Sequence, residues 1–270
     1  MFTTIRHVAI HTDNYNRMAK FYQTVFHMKK ITNGMTDEKG NYNPERGHIS
    51  DGVIGLALLQ RQAGLPAALD HFGFEVDDVE KVLDKLKEKY PDVMVGKSPG
   101  HVPFAGLRTH DPAGNIFDLS QKGMANVREG YVEKGWEQKR WLNHIAIRAL
   151  KPSQLAEFYH EVYELSPVEG FSGGDGFCLT DGRVHLMIRA WNPTTFRGMR
   201  EGLDHIGFKV ENLDEAKKDI DELARSFPDA APRKIDLGRD GSRRRENLEA
   251  CKFGQHATAD PDGVLIDLCN

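Results

Sequence analysis

The sequence predicts an α+β fold made of four βαβββ modules, two in each half of a 270-residue chain. Two observations carry that prediction. The chain repeats itself: HVAIHTDNYNRMAKFYQTVFHM (7–28) returns as HIAIRALKPSQLAEFYHEVYEL (144–165). LDHFGFEVDDVEKVLDKLKEKYPD (69–92) returns as LDHIGFKVENLDEAKKDIDELARSFPD (203–229), and HDPAGNIFDLS (110–120) as ADPDGVLIDLC (259–269). Each half also holds one local order twice, namely a short His-bearing strand, an amphipathic helix, then two or three strands ending at a D-G-type turn.

The elements follow from spacing. In the opening strand Val8 and Ile10 face one way and His7, Ala9 and His11 the other, as strand alternation requires. Met18, Phe21, Tyr22, Val25 and Phe26 fall at i, i+3, i+4, i+7 and i+8, the stripe of a helix with one buried face, and Leu155, Phe158, Tyr159, Val162 and Tyr163 repeat it. Val79, Val82, Leu83, Leu86 and Tyr90 form the third stripe, and Leu213, Ala216, Ile220, Leu223, Ala224 and Phe227 the fourth. These stripes are core and receive no chemistry. Residues 1–122 and 142–270 are expected as two domains, with the charged, weakly periodic stretch 123–141 as their linker.

Composition removes several classes of function. Lys plus Arg number 36 and Asp plus Glu 40, so no strong field draws the chain to nucleic acid or an anionic membrane. No apolar run approaches the ~20 residues of a bilayer span, and the opening MFTTIRHVAIHT lacks the apolar segment of a signal peptide. A cytoplasmic protein is expected. Three cysteines without C-x-x-C spacing argue against a disulfide framework or a cysteine-zinc site. Twelve histidines suit a metal site of N and O donors instead.

Each module's first strand sets a His on the same face as a very small residue: His7 with Ala9, His71 with Gly73, His144 with Ala146, His205 with Gly207. The apolar faces must pack on helices, which leaves the His faces lining a concave surface with room for an ion above the small residues. A carboxylate completes each set. Asp118 shares a face with Ile116 and Ser120, and Asp267 with Leu265 and Cys269, each four residues after a turn glycine, Gly114 or Gly263. A mid-strand Asp opposes β propensity and is costly unpaired. Either an Arg, Ser or backbone partner satisfies it, or a metal does. Two His and one carboxylate are the ligand set of non-haem Fe(II) sites.

At this point the sequence resembles the vicinal oxygen chelate superfamily of glyoxalase I, type I extradiol dioxygenases and bleomycin-resistance proteins. The resemblance rests on the H-x-A-I strands, the F-Y-x-x-V helices, the L-D-H-x-G-F strands and the D-P-x-G-x-x-x-D endings, and it covers essentially the whole chain. It implies modules paired into two cupped-sheet domains that hold a divalent ion. By position it implies His144, His205 and Asp267 as ligands in the second half, and His7, His71 and Asp118 in the first.

Glyoxalase-type members use a fourth ligand, usually Glu, on strands that here read VIGLALLQ (53–60) and VHLMIR (184–189), without a carboxylate. Three ligands leave positions for two vicinal substrate oxygens and O₂. Resemblance to the extradiol enzymes therefore implies a ring-cleaving dioxygenase of aromatic catabolism acting on a catechol-like substrate. Fe(II) is the expected ion, with Mn(II), Zn(II) or Ni(II) as alternatives, and a homo-oligomer the expected assembly. His185, where the first half has Gly55, takes the position of the family's acid/base, although a core or surface His there is the competing account. Asp267 stands where the family usually has Glu. Asp240 and Ala257 stand where it has a further His and a Tyr, with His256 a substitute one position away. The insertion GSRRRENLEACKF (241–253) offers Arg243, Arg244 and Arg245, which either attract an anionic substrate or form a solvated loop. A glyoxalase-like isomerase or lyase is the alternative function.

Overall fold

The first helix forms where the apolar stripe predicts it. Asn14 stands in extended backbone and accepts a hydrogen bond from the Arg17 N–H, which satisfies a free donor at the start of α1 (Tyr15–Phe26). Asp78 caps α2 (Val79–Lys89) and Asn212 caps α4 (Leu213–Ser226) in the same way, while α3 (Pro152–Tyr163) begins on Pro152, whose missing N–H costs nothing in the first turn. Every residue of the two F-Y stripes, in α1 and α3, is buried.

The computed structural model describes residues 2–31, 47–98, 104, 106–123, 137–171, 176–192 and 200–270. The first sheet has the order β2-β3-β4-β1-β5-β8-β7-β6. Its strands are β1 (Thr3–Thr12), β2 (Lys29–Ile31), β3 (Gly47–Ser50), β4 (Gly55–Gln60), β5 (Leu69–Val76), β6 (Val95–Lys97), β7 (Leu107–His110) and β8 (Ile116–Gln121). The second has the order β10-β11-β12-β9-β13-β15-β14. It is built from β9 (Trp141–Ala149), β10 (Ser166–Pro167), β11 (Gly176–Thr180), β12 (His185–Ala190), β13 (Gly202–Lys209), β14 (His256–Ala259) and β15 (Leu265–Cys269). Each sheet thus joins two modules through their first strands, β1 beside β5 and β9 beside β13.

The fourth module departs from the expected pattern. Among the described residues it contributes three strands where the others contribute four, and α5 (Gly241–Glu249) fills the interval before β14. The arginine run therefore lies on a helix rather than in a loop. Its apolar anchor is Leu248, packed with Ile235, Ala257, Ala259 and Leu265. Most of the expected linker lies outside the described residues. Its last part is not merely solvated, because Arg140 is buried and bonds Glu211, Asp219 and the Val25 carbonyl.

Packing divides the chain into two units, one of Met1–His7, His71–Arg128 and His144–Asp204, the other of Val8–Asp70, Glu129–Asn143 and His205–Asn270. In unit 1 the apolar face of β5 meets α3, with Phe74 stacked on Tyr163 at 4.7 Å and Phe72 against Tyr159. In unit 2 Phe208 of β13 stacks on Phe26 of α1 at 3.7 Å. The helix that covers each of these strands comes from the other half of the sequence.

This exchange explains why F-Y and D-P-x-G recur together. In unit 1 the Tyr159 hydroxyl donates to Asp111 at 2.7 Å, and in unit 2 the Tyr22 hydroxyl donates to Asp260 at 3.0 Å. Each Asp also ties its own turn: Asp260 accepts from the N–H groups of Asp262, Gly263 and Val264. Burial pushes the Asp260 carboxyl up to about 7 from its ordinary 3.8, despite the hydrogen bonds from Val264 and Tyr22 that oppose the rise. Between those values the folded chain holds a proton that the unfolded chain has lost, so unfolding releases it and rising pH favours unfolding. Stability from this group is therefore complete below about pH 4 and falls until about pH 7. Thermal unfolding of wild type and Asp260→Asn across that range checks this: the variant shows a shallower decline, and parallel curves would exclude Asp260 as the cause.

Candidate metal centre

Strand register decides which side chains converge. On the first sheet β5 and β8 run parallel with Gly73 against Asp118, so Asp118 shares the face of Gly73 and His71. His71 Nε2 lies 3.2 Å from His7 Nε2 and 3.1 Å from Asp118 Oδ2, with His7 Nε2 3.9 Å from the same oxygen. All three residues are buried and belong to unit 1. Donors in cis positions about 2.1 Å from an octahedral ion stand about 3 Å apart, so this triangle has nearly the dimensions of one face of such a site.

Two neighbours close the triangle off. Arg108 stands directly opposite Asp118 on β7, donates from Nε to Oδ1 at 2.9 Å, and brings Nη2 to 3.5 Å from His71 Nε2. Phe104, at φ 72°, stacks on His7 at 5.1 Å. The room expected above Gly73 is filled by that ring, which a Cβ on Gly73 would approach to 2.5 Å. Burial alone would raise the Asp118 carboxyl, but His71, His7 and Arg108 outweigh it and hold the group far below its ordinary value. The guanidinium supplies the positive charge that a buried carboxylate requires.

The second half differs at the matching positions. His205 of β13 and Asp267 of β15 share a face, since the parallel register sets Gly207 against Asp267. Opposite Asp267 on β14 stands Ala257, where the first half has Arg108 opposite Asp118. Cys251, two residues beyond α5, completes a set that sequence reasoning missed. The donor atoms of His205, Cys251 and Asp267, all in unit 2, lie within 4.8 Å of one another. The C-x-x-C test could not find Cys251, because these donors come from separate elements. The signal available was a cysteine on an insertion just ahead of the carboxylate strand. Cys269, by contrast, accepts from Asn143 Nδ2 at 3.2 Å, and burial, with the Asp267 charge, pushes its thiol up to about 11.

This donor set fits a divalent ion. An imidazole, a fully buried carboxylate and a thiol form a cluster suited to a dication of intermediate softness. His185 of β12 is in register with His144 of β9, and parallel pairing puts both imidazoles on one face. His256 is paired with Leu268 and so stands on the face opposite Asp267. Its ring, pushed below its ordinary pKa by burial first and then by Lys217, is in neither donor group among the described residues. A cavity of about 240 Å³ lies beside Ala259 and Leu265, lined by Arg233, Lys234, Arg244 and Asp262 and by none of the donor residues.

Comparison with known proteins agrees with this architecture. Residues 4–119 match the Glyoxalase/Bleomycin resistance protein/Dioxygenase superfamily. No curated protein matches the chain by sequence. Among solved structures, the chain is similar to the 2,3-dioxygenase LapB from Pseudomonas sp. KL28, with TM-score 0.62 and 16% identity over 98% of this chain and 91% of that one. A catechol 2,3-dioxygenase gives TM-score 0.61 and 13% identity over 98% and 91%. A variant of homoprotocatechuate 2,3-dioxygenase from B. fuscum gives 0.64 and 15% over 98% and 70%. No helix among the described residues is long and apolar enough to cross a membrane. The two mixed sheets have the α+β architecture of the vicinal oxygen chelate fold, and residues 4–119 are similar to the glyoxalase, bleomycin resistance protein and dioxygenase superfamily.

Proposed function

We propose that the protein is a cytoplasmic, Fe(II)-dependent extradiol dioxygenase that cleaves a catechol-like ring with O₂, using His144, His205 and Asp267 as ligands. One observation carries this reading: of two duplicated His, His and Asp sets, the second has Ala257 opposite its carboxylate where the first has an ion-paired arginine. When bound, the ion supplies Lewis acidity toward two neighbouring substrate oxygens and redox capacity toward O₂. His185, beside His144 on the same face, takes the proton of the substrate hydroxyl. Likeness to three 2,3-dioxygenases over nearly the whole chain supports the same reading.

The test is oxygen-electrode measurement on Fe(II)-reconstituted protein with a panel of substituted catechols, carboxylated ones included. The expected result is stoichiometric O₂ uptake with at least one of them. Cys251 favours a second reading, an isomerase or lyase acting on a small oxo or hydroxy compound, because a fourth donor leaves two open positions, enough for two substrate oxygens without O₂. No O₂ uptake with any catechol, together with metal-dependent conversion of a hemithioacetal or 2-oxoacid under argon, would replace the first reading by the second.

A further inference from the structure

We infer that Cys251 is a ligand of the ion in the second half, its thiolate joining His205 and Asp267; the inference rests on the metal centre of the preceding reading. Position is the first argument. Cys251 is buried, and its sulfur lies within 4.8 Å of the nearest donors of both His205 and Asp267.

Packing fixes that position. Leu248 anchors the preceding helix against Ala257 and Ala259 of β14, and the chain turns back immediately afterwards, with the Cys251 N–H donating to the Leu248 carbonyl at 3.0 Å and the Gly254 N–H to the Cys251 carbonyl at 2.9 Å. That turn needs glycine, since a Cβ at Gly254 would meet the Leu248 carbonyl oxygen at 2.4 Å. A bare backbone at 254 holds the thiol where α5 delivers it. The first half has β6 in the corresponding interval and has no cysteine among the three of its donor set.

Charge gives the second argument. A carboxylate and a thiolate neutralise a dication, and imidazole ligands add nothing to the sum, so the buried cluster carries no net charge. On binding, the thiol proton passes to solvent as the sulfur–metal bond forms. A thiolate also shifts selectivity toward Zn(II) and Co(II) and away from Mg(II) and Ca(II).

Titration of metal-free, full-length protein with Co(II) tests the assignment. The expected result is one equivalent bound, with a near-ultraviolet thiolate-to-cobalt charge-transfer band and proton release. Cys251→Ser still binds Co(II) but loses the band and releases one proton fewer, whereas Cys269→Ser keeps both. X-ray absorption on zinc-loaded wild type checks the same point without a variant, with one sulfur expected at about 2.3 Å. Binding without a charge-transfer band, or a band unchanged in Cys251→Ser, would overturn the assignment and leave the metal centre intact. Failure of wild type to bind any ion would overturn both.

Discussion

His205→Ala abolishes turnover and strips the ion from the protein, whereas His71→Ala leaves most of both. The two histidines occupy equivalent places in the duplication, so the expected difference comes from their surroundings. His71 stands beside a carboxylate that already has a cation, Arg108, bound at 2.9 Å, and beside an imidazole covered by Phe104. Removing it leaves Asp118 paired. Asp267 is fully buried and faces Ala257 across the ladder. Without His205 the ion is lost, and with it the stability that binding to the folded state confers. His205→Ala should therefore also unfold at lower temperature than His71→Ala, which differential scanning calorimetry of the two variants would reveal. Equal loss of turnover in both variants would mean that both halves work.

His185→Ala slows turnover by about 10²–10⁴-fold, the usual contribution of a positioned proton-transfer group, while metal content stays at the wild-type level. The imidazole shares a face with His144 through the parallel register of β12 and β9, yet it is outside both donor groups among the described residues. That combination suits a group that meets substrate rather than the ion. Stopped-flow kinetics separates the roles: loss in kcat with little change in KM marks proton transfer, and a fall in bound metal would make His185 a ligand. His185→Gln, which keeps a hydrogen-bonding group without a titrating one, should not restore the rate.

The fold was legible because its periodicities are local. The apolar stripes of 18–26, 79–90, 155–163 and 213–227 each form a helix, and the alternation around His7, His71, His144 and His205 puts each on a central strand. The D-P-x-G turns were visible as repeats, but their bonding to the F-Y tyrosines was not, since Tyr22 and Asp260 are 238 residues apart. Arg108 could be read only as one residue in a short strand. Its meaning comes from register, which sets it across from Asp118, and register is not written in the periodicity of either strand. Phe104 escaped for the same reason, as it reaches His7 from a loop. Cys251 escaped because reasoning from C-x-x-C spacing looks along the chain, whereas this thiol meets His205 and Asp267 only after α5 packs on β14.

The account rests on the second half alone holding the working ion, and the most direct test is metal content per chain in anaerobically purified wild type, His205→Ala and His71→Ala. The expected values are one ion for wild type, nearly none for His205→Ala and close to one for His71→Ala. An ion retained in His205→Ala and lost in His71→Ala would place the centre in the first half, beside Arg108, and contradict the account.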